Sequence, residues 1–561
     1  MNAFGHEERF PSARSSRRTP GLSMALAATV LLGPCAAQGA PEGELVRPRD
    51  DVRDPRAGSA DIARSRAVDF DLDRLRDAAP GTELRVRPFA DTSFDVILQR
   101  RDALAGDRAV WHGTLGGLPD SHVLISTVGG GVAASFYPND GRAPIYLQTA
   151  PGMIVARQFA ADAGQCGVAG AAQPALPAGG ISTARRTAAG CTASGDVVSI
   201  LQVYTPAAET QAGGTTQIDA QAQLLLAELN LAVTNSGIQN LQFVRAGLHR
   251  TDDGFLCSGS SLSNWQNTLF ALQSPTDGVM DEVHAVRSST GADLVALLVA
   301  DDPTCQGGTG GYAGVLTSAS GSAESIAAFS VSNYLYNYVF PHEVGHNLGC
   351  SHDCGTGCGT GLYSYSNGYK WAGSQPGTSV MGYQDVSRPY YPIFSTPLMQ
   401  RGGVAVGSAA TADATRTIEA TRQVIANYRG GCVEPFGTGC AGDIGAMDST
   451  SPGDTYRVLG QSPAGVGSLF IGASKATWNG LPLPLDLGLV GATGCTIEAS
   501  PDAALWTGSM PTSGSWIVIP VSIPSNPALV GARLYHQWHF YTGGPLATYQ
   551  TSRGLQVEID A

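Results

Sequence analysis
Lysine is almost missing from this sequence of 561 residues: Lys370 and Lys475 stand against 32 arginines. No basic stripe and no aromatic-basic run accompanies the arginines, so the bias reflects codon composition and nucleic acid is excluded as a first partner. Charged residues of both signs make up only 14% of the chain, while hydrophobic residues reach 43%, which excludes a disordered polymer. Long apolar runs are missing too. After the first 40 residues nothing approaches the roughly 18 residues that cross a bilayer, so no transmembrane segment is expected. No internal repeat occurs and no glycine-rich nonapeptide array, which leaves Ca2+ without support.

What is present begins with an export pattern. Arg14, Arg17 and Arg18 precede a mostly apolar stretch over 22–32, and small residues continue through Ala40. A basic region, a short apolar core and a small-residue cut site describe a secretory signal peptide over 1–40. The protein is therefore expected to be secreted and extracellular. Of its eleven cysteines, Cys35 leaves with the signal. The other ten enter an oxidising compartment, where disulfides are the default.

A chain of this length divides into three or four units. Between Glu83 and Phe159, short alternating runs broken by glycine and proline read as antiparallel strands. The stretch 168–190, rich in Ala, Gly and Pro and containing Arg185-Arg186, reads as an exposed, cleavable linker. Region 41–190 holds 17 of the arginines, whereas 191–432 carries 18 acidic residues against nine basic ones. An arginine-rich segment ahead of an acidic one is either its detachable partner or a solvated face. From Asp196 onward, strands (197–204, 241–248, 294–299, 325–332) alternate with helices (218–236, 264–272, 280–286, 409–428), the pattern of an α/β unit. Beyond Cys432 only short strands recur, which predicts an all-β, sandwich-like module of about 125 residues.

One window carries chemistry: Phe340-Pro341-His342-Glu343-Val344-Gly345-His346-Asn347-Leu348-Gly349-Cys350-Ser351-His352-Asp353. His342 and His346 are four apart, so on a helix both imidazoles leave one face and can share a metal. Gly349 allows a positive φ, through which the chain turns to bring His352 back as a third ligand. Three neutral nitrogens leave one position open, as a catalytic Zn2+ requires. Glu343 sits beside them, placed to act as the base toward a water. The chain has ten histidines, and three fall within these eleven positions. Histidines that merely pack or face water would not need the intervening Glu and Gly.

This window resembles the extended H-E-x-x-H-x-x-G-x-x-H motif of the metzincin zinc metalloproteases. Ser379-Val380-Met381-Gly382-Tyr383 is similar to their methionine-containing turn, and Asp353 after the third histidine resembles the adamalysin/reprolysin branch with its secreted bacterial members. The resemblance covers about 191–432. It implies a multidomain protein with a signal peptide (1–40) and a β-rich propeptide with linker (41–190). An α/β catalytic domain with a twisted mixed sheet and an active-site helix (191–432) and a C-terminal β domain (433–561) follow. The implied activity is that of a secreted zinc endopeptidase made as a zymogen, acting on protein or peptide substrates and inhibited by its own propeptide. Glu343 would be the general base and Met381 an apolar floor beneath the histidines. The strand near 325–332 would pair with substrate, and 384–394 would wall a pocket.

Two departures stand out. Pro341 precedes His342, so the helix either starts there or is kinked. Tyr383 is more like astacins and serralysins, where it would be a fifth ligand or an oxyanion stabiliser; a packing role is the alternative. Cys166-Gly167-Val168 resembles a cysteine switch, in which a thiolate takes the fourth metal position; a Cys166–Cys191 bridge is the other reading. Cys440–Cys495 and Cys257–Cys305 are expected disulfides, and Cys350, Cys354, Cys358 and Cys432 would supply two more. In the C-terminal module the aromatic stretch 535–541 would either bind a surface or polysaccharide or pack within a strand. Arg388 and Arg401 are candidate cations for acidic substrate side chains. The competing function is a surface-binding or adhesive secreted protein with an inactive metal domain.

Overall fold
The computed structural model describes residues 44–559 apart from 105–106, 161–164, 167–196, 240, 291, 318–326, 358–360, 386, 427, 429–432, 442, 448–449, 451, 462–464, 511–515 and 542–548. The expected signal peptide, the linker over 168–190, and Cys191, Cys358 and Cys432 lie outside the described residues. Among the described residues, no helix is long and apolar enough to cross a membrane.

The first region is a closed barrel of nine strands. In chain order these are β1 (Glu44–Pro48), β2 (Ile62–Phe70), β3 (Glu83–Phe89), β4 (Thr92–Leu104), β5 (Arg108–Leu115), β6 (Leu118–Val128), β7 (Gly131–Tyr137), β8 (Ile145–Ala150) and β9 (Met153–Phe159). Neighbours from β3 to β9 are antiparallel, and a parallel β1–β3 pair takes part in the closure. Gly117 and Gly152, both at φ +75°, make tight reversals that side chains would strain. Val86, Val96, Leu98, Trp111, Ile125, Phe136 and Leu147 fill the interior. Closure removes the free edges that an open antiparallel sheet would expose.

The central region is a six-stranded mixed sheet. Its members are β10 (Gln165–Cys166), β11 (Val197–Tyr204), β12 (Gln242–Arg250), β13 (Leu294–Val299), β14 (Thr309–Ala313) and β15 (Phe329–Asn333), in the order β10-β14-β15-β13-β11-β12. All pairs are parallel except β14 with β15. The strand expected at 325–332 is not an edge: β15 begins at Phe329 and lies between β13 and β14, with all five residues buried. Its serines sit under covering elements, which the alternation of Phe329 and Val331 with serine cannot reveal. The outer positions belong to β14 and, beyond it, β10.

Helices α1 (Pro206–Ala212), α2 (Thr215–Asn235), α3 (Ser261–Gln273), α4 (Glu282–Thr290), α5 (Val339–Asn347) and α6 (Ala414–Ala426) complete this region. α2 is apolar on two faces. Ile218, Ala222, Leu225 and Leu229 join the sheet core, while Ala220, Leu224 and Ala227 pack with Val110, Leu124, Val128 and Ala133 of the barrel. Each fully buried leucine there contributes about 1.5–3 kcal/mol. A polar seam surrounds the apolar contact. Arg108 of β5 bonds Asp219 of α2 at 2.7 Å, and Arg56 bridges Asp61 and Asp301 at 2.6 Å each.

Beyond residue 432 two antiparallel sheets share a core. The five-stranded one runs Val433–Phe436, Tyr549–Glu558, Arg533–Tyr541, Gly465–Gly472, Ala503–Met510, and the three-stranded one runs Asp443–Met447, Thr455–Gln461, Trp516–Ser522. Tyr456, Leu469, Trp538, Phe540 and Leu555 lie between them. The stretch 535–541 is therefore largely internal: Tyr535 through Phe540 are buried and only Tyr541 is exposed.

Candidate metal centre
α5 begins at Val339, so Pro341 is its third residue. An N–H at that position has no intrahelical acceptor, and the proline costs the helix nothing there. His342 and His346 then project from one side, with ring centroids 5.0 Å apart. After α5 the chain turns through Gly349 at φ +92° and returns His352 to the same point. The His352 ring lies 5.1 Å from that of His342 and 4.7 Å from that of His346.

The hydrogen bonds set the tautomers. His342 Nδ1 donates to the Val380 carbonyl at 2.8 Å, and His346 Nδ1 donates to the Cys350 carbonyl at 2.9 Å. A carbonyl can only accept, so these rings carry their proton on Nδ1 and turn an Nε2 lone pair inward. His342 Nε2 is buried with no hydrogen-bond partner, and His346 Nε2 faces His352 Nε2 at 3.0 Å. Ligand atoms of the three rings all lie within 4.8 Å of one another. Burial keeps the imidazoles neutral, holding His342 down at about 3 and His346 at about 4, with His352 lower still. Three converging, unprotonated imidazole nitrogens are a donor set suited to Zn2+.

Glu343 is fully buried beside the triad. Gly311 of β14 lies directly against its carboxyl: a Cβ at 311 would collide with Oε1. Met381 is buried below, where its Sδ packs on Gly345, and a Cβ at 345 would collide with it. Tyr383 places its hydroxyl 3.3 Å from both ring nitrogens of His352. Asp353 ties the two halves of the site together. One carboxylate oxygen accepts from Gly355 N and the other from Tyr383 N, each at 3.1 Å, and Lys370 Nζ lies 3.7 Å from the second.

Other candidates separate. Cys166 pairs through its backbone with Gly311, the residue that Glu343 overlies. Cys257–Cys305 and Cys440–Cys495 are disulfides, and Cys354 is disulfide-bonded. Cys350 corrects the expected pairing: it is free and buried, its thiol 3.8 Å from the Ala414 carbonyl. Arg388 is bound to Asp385 at 2.9 Å, while Arg401 pairs with Asp120 of the barrel at 3.3 Å and stacks over Tyr391. Gly311 and the Asp353–Lys370 contact were not anticipated. A glycine inside a strand is the sign of a close approach that could have flagged Gly311.

Residues 194–395 match the model Reprolysin_5, Metallo-peptidase family M12. A peptidyl-Asp metalloendopeptidase of Stenotrophomonas maltophilia (strain K279a) is 31% identical over 238 residues, which is 41% of this chain and 52% of that protein. A peptidyl-Asp metalloendopeptidase of Xanthomonas campestris pv. campestris is 26% identical over 256 residues, covering 45% and 56%. The chain spans about half the length of the curated relatives it matches. Among solved structures, metalloproteinase-II from Bacteroides fragilis aligns at 12% identity with a TM-score of 0.31, covering 55% of this chain and 90% of that one.

Proposed function
Because residues 194–395 are a metzincin-like metallopeptidase segment of family M12, we propose that the protein is a secreted zinc endopeptidase made as a zymogen. The observation that carries the reading is the convergence of His342, His346 and His352 on one point beside the buried Glu343 carboxyl. A zinc ion held by these three residues would supply a Lewis acid that acidifies water and polarises a peptide carbonyl. Glu343 takes the proton of the attacking water and delivers it to the departing amine. The Val380 and Cys350 carbonyls hold the two helix imidazoles in their ligating tautomers throughout. Tyr383, at 3.3 Å from His352, would serve as a fifth ligand or as an oxyanion stabiliser. Met381 supports the rings without taking part.

Substrate would lie extended along β14 by strand addition. In the precursor that position is taken by β10, a short parallel strand ending at Cys166. This supports a division into signal peptide 1–40, propeptide and linker 41–190, catalytic domain 191–432 and C-terminal module 433–561. The barrel then belongs to the inhibitory part, and Cys166 is either its metal-binding switch or a disulfide partner. The name of the relatives suggests that a substrate aspartate is recognised. Casein hydrolysis abolished by a zinc chelator and by Glu343→Ala supports the reading; a Glu343→Ala protein that retains zinc and full activity overturns it.

A further inference from the structure
Lys370 lies against Asp353, the residue that follows the third histidine. It sits in the short strand Lys370–Trp371, which pairs with Gly377–Thr378 three residues before Met381. Through that pairing the strand is fixed to the methionine turn. The Lys370 ammonium lies 3.7 Å from Asp353, whose same oxygen accepts from Tyr383 N, and the Tyr383 hydroxyl touches His352. A chain of four residues thus links the ammonium to a metal ligand.

The state of this ammonium is unusual. At 3.7 Å its contact with Asp353 is an ion pair but not a hydrogen bond, and the carboxylate is already satisfied by two backbone N–H groups. Its side chain is 23% exposed, whereas that of Asp353 is 7% exposed. The lysine is thus held beside the centre with its donors uncommitted, and its flexible stem lets it turn toward a neighbouring anion. The two arginines nearest in sequence to the expected pocket wall are otherwise engaged, Arg388 with Asp385 and Arg401 with Asp120 and Tyr391.

We propose that Lys370 is a specificity-determining residue, its ammonium donating to the carboxylate of a substrate aspartate next to the scissile bond. The proposal rests on the endopeptidase reading and on the acidic preference suggested by the relatives. A charge-assisted hydrogen bond of this kind favours aspartate over asparagine by about 10- to 100-fold in kcat/KM.

The test uses protein matured from the full-length chain and two fluorogenic peptides that differ only in Asp or Asn beside the cleaved bond. Wild type should show the preference. Lys370→Met should bring the Asp/Asn ratio to about two or less, and Lys370→Arg, which keeps a cation, should retain most of it. Zinc content and melting temperature report whether each variant has kept its fold. A wild-type ratio near one overturns the acidic-substrate reading and the proposal with it. A high wild-type ratio that survives in Lys370→Met, with both peptides slowed alike, overturns the Lys370 assignment alone and leaves the ion as a counter-charge for Asp353.

Discussion
Gly311 has no side chain because the Glu343 carboxyl occupies the place where one would be. Strand β14 and helix α5 are thereby packed as closely as backbone and carboxyl allow. If Glu343 is the base proposed above, Gly311→Ala should displace its carboxyl and impair catalysis while leaving the three histidines in place. The expected outcome is a loss of about 10²-fold or more in kcat/KM, the range for a displaced general base, with zinc bound at full stoichiometry. Peptide kinetics beside metal analysis check it. Full activity in Gly311→Ala means that Glu343 has room the geometry denies it.

Met381 and Gly345 form a second close pair, sulfur against helix backbone between the two helix histidines. Truncating the buried Met381 to alanine leaves a cavity under the rings and should cost about 2–5 kcal/mol of stability. Leucine conserves volume and should cost less than about 1.5 kcal/mol. Urea unfolding of the zinc-bound protein gives both numbers. A Met381→Ala variant as stable as Met381→Leu would show that the floor is not packed.

The candidate metal centre, as a cluster of three histidines, was legible because its parts are local. A four-residue helical spacing, a glycine that permits φ of +92° and a third histidine lie within eleven positions, and backbone geometry alone brings them together. Central-sheet elements such as Val197–Tyr204 and Leu294–Val299 were legible for the same reason, since apolar periodicity is a local property. Strand order is not. Whether Phe329–Asn333 lies inside the sheet or at its edge depends on β14, which is glycine-rich and carries no hydrophobic pattern. Closure of the barrel needs a parallel β1–β3 contact between segments about 40 residues apart, and no short-range signal encodes it. The expected pairing of Cys350 fails because the oxidising compartment makes disulfides the default for any cysteine, and the sequence does not show that this thiol is buried away from a partner.

The cysteine correction is itself measurable. Burial pushes the Cys350 thiol far up from its ordinary range, so it should resist a maleimide in the folded protein. In denaturant without reductant it should label fully, and peptide mapping identifies it. Cys257, Cys305, Cys440 and Cys495 should label only after reduction. Opening Cys440–Cys495, which closes 55 residues, should destabilise the C-terminal sheets by about 4 kcal/mol on loop-entropy grounds. Labelling of Cys350 in the native state at the rate of a free peptide thiol contradicts its placement.

The seam between barrel and α2 holds a buried carboxyl and a half-buried imidazole that titrate in opposite senses. Glu228 of α2 lies at Tyr137 and Tyr146 of the barrel, near Tyr390 and Ser135, and accepts a hydrogen bond from Asn337 at 2.9 Å. Burial raises its carboxyl from 4.5 to about 7. Between those values the unfolded chain has released a proton that the folded chain keeps. Stability therefore falls as pH rises through the window, by up to about 3 kcal/mol, and levels off above it. His122 of β6 does the reverse. Burial, and then Arg401, lowers it to about 4 from 6.5, so stability rises with pH between those values. Across pH 4.5 to 6.5 the two slopes cancel. Glu228→Gln removes the falling slope alone, so its stability relative to wild type should improve by up to about 3 kcal/mol between pH 4.5 and 7. His122→Asn should lose ground by a similar amount between pH 4 and 6.5, because it lacks the His122 contribution that rises with pH in the wild type and keeps only the falling one of Glu228. Urea unfolding of both variants and wild type across pH 4 to 8 measures each difference, and a difference independent of pH for either variant shows that its parent group does not titrate as its burial requires.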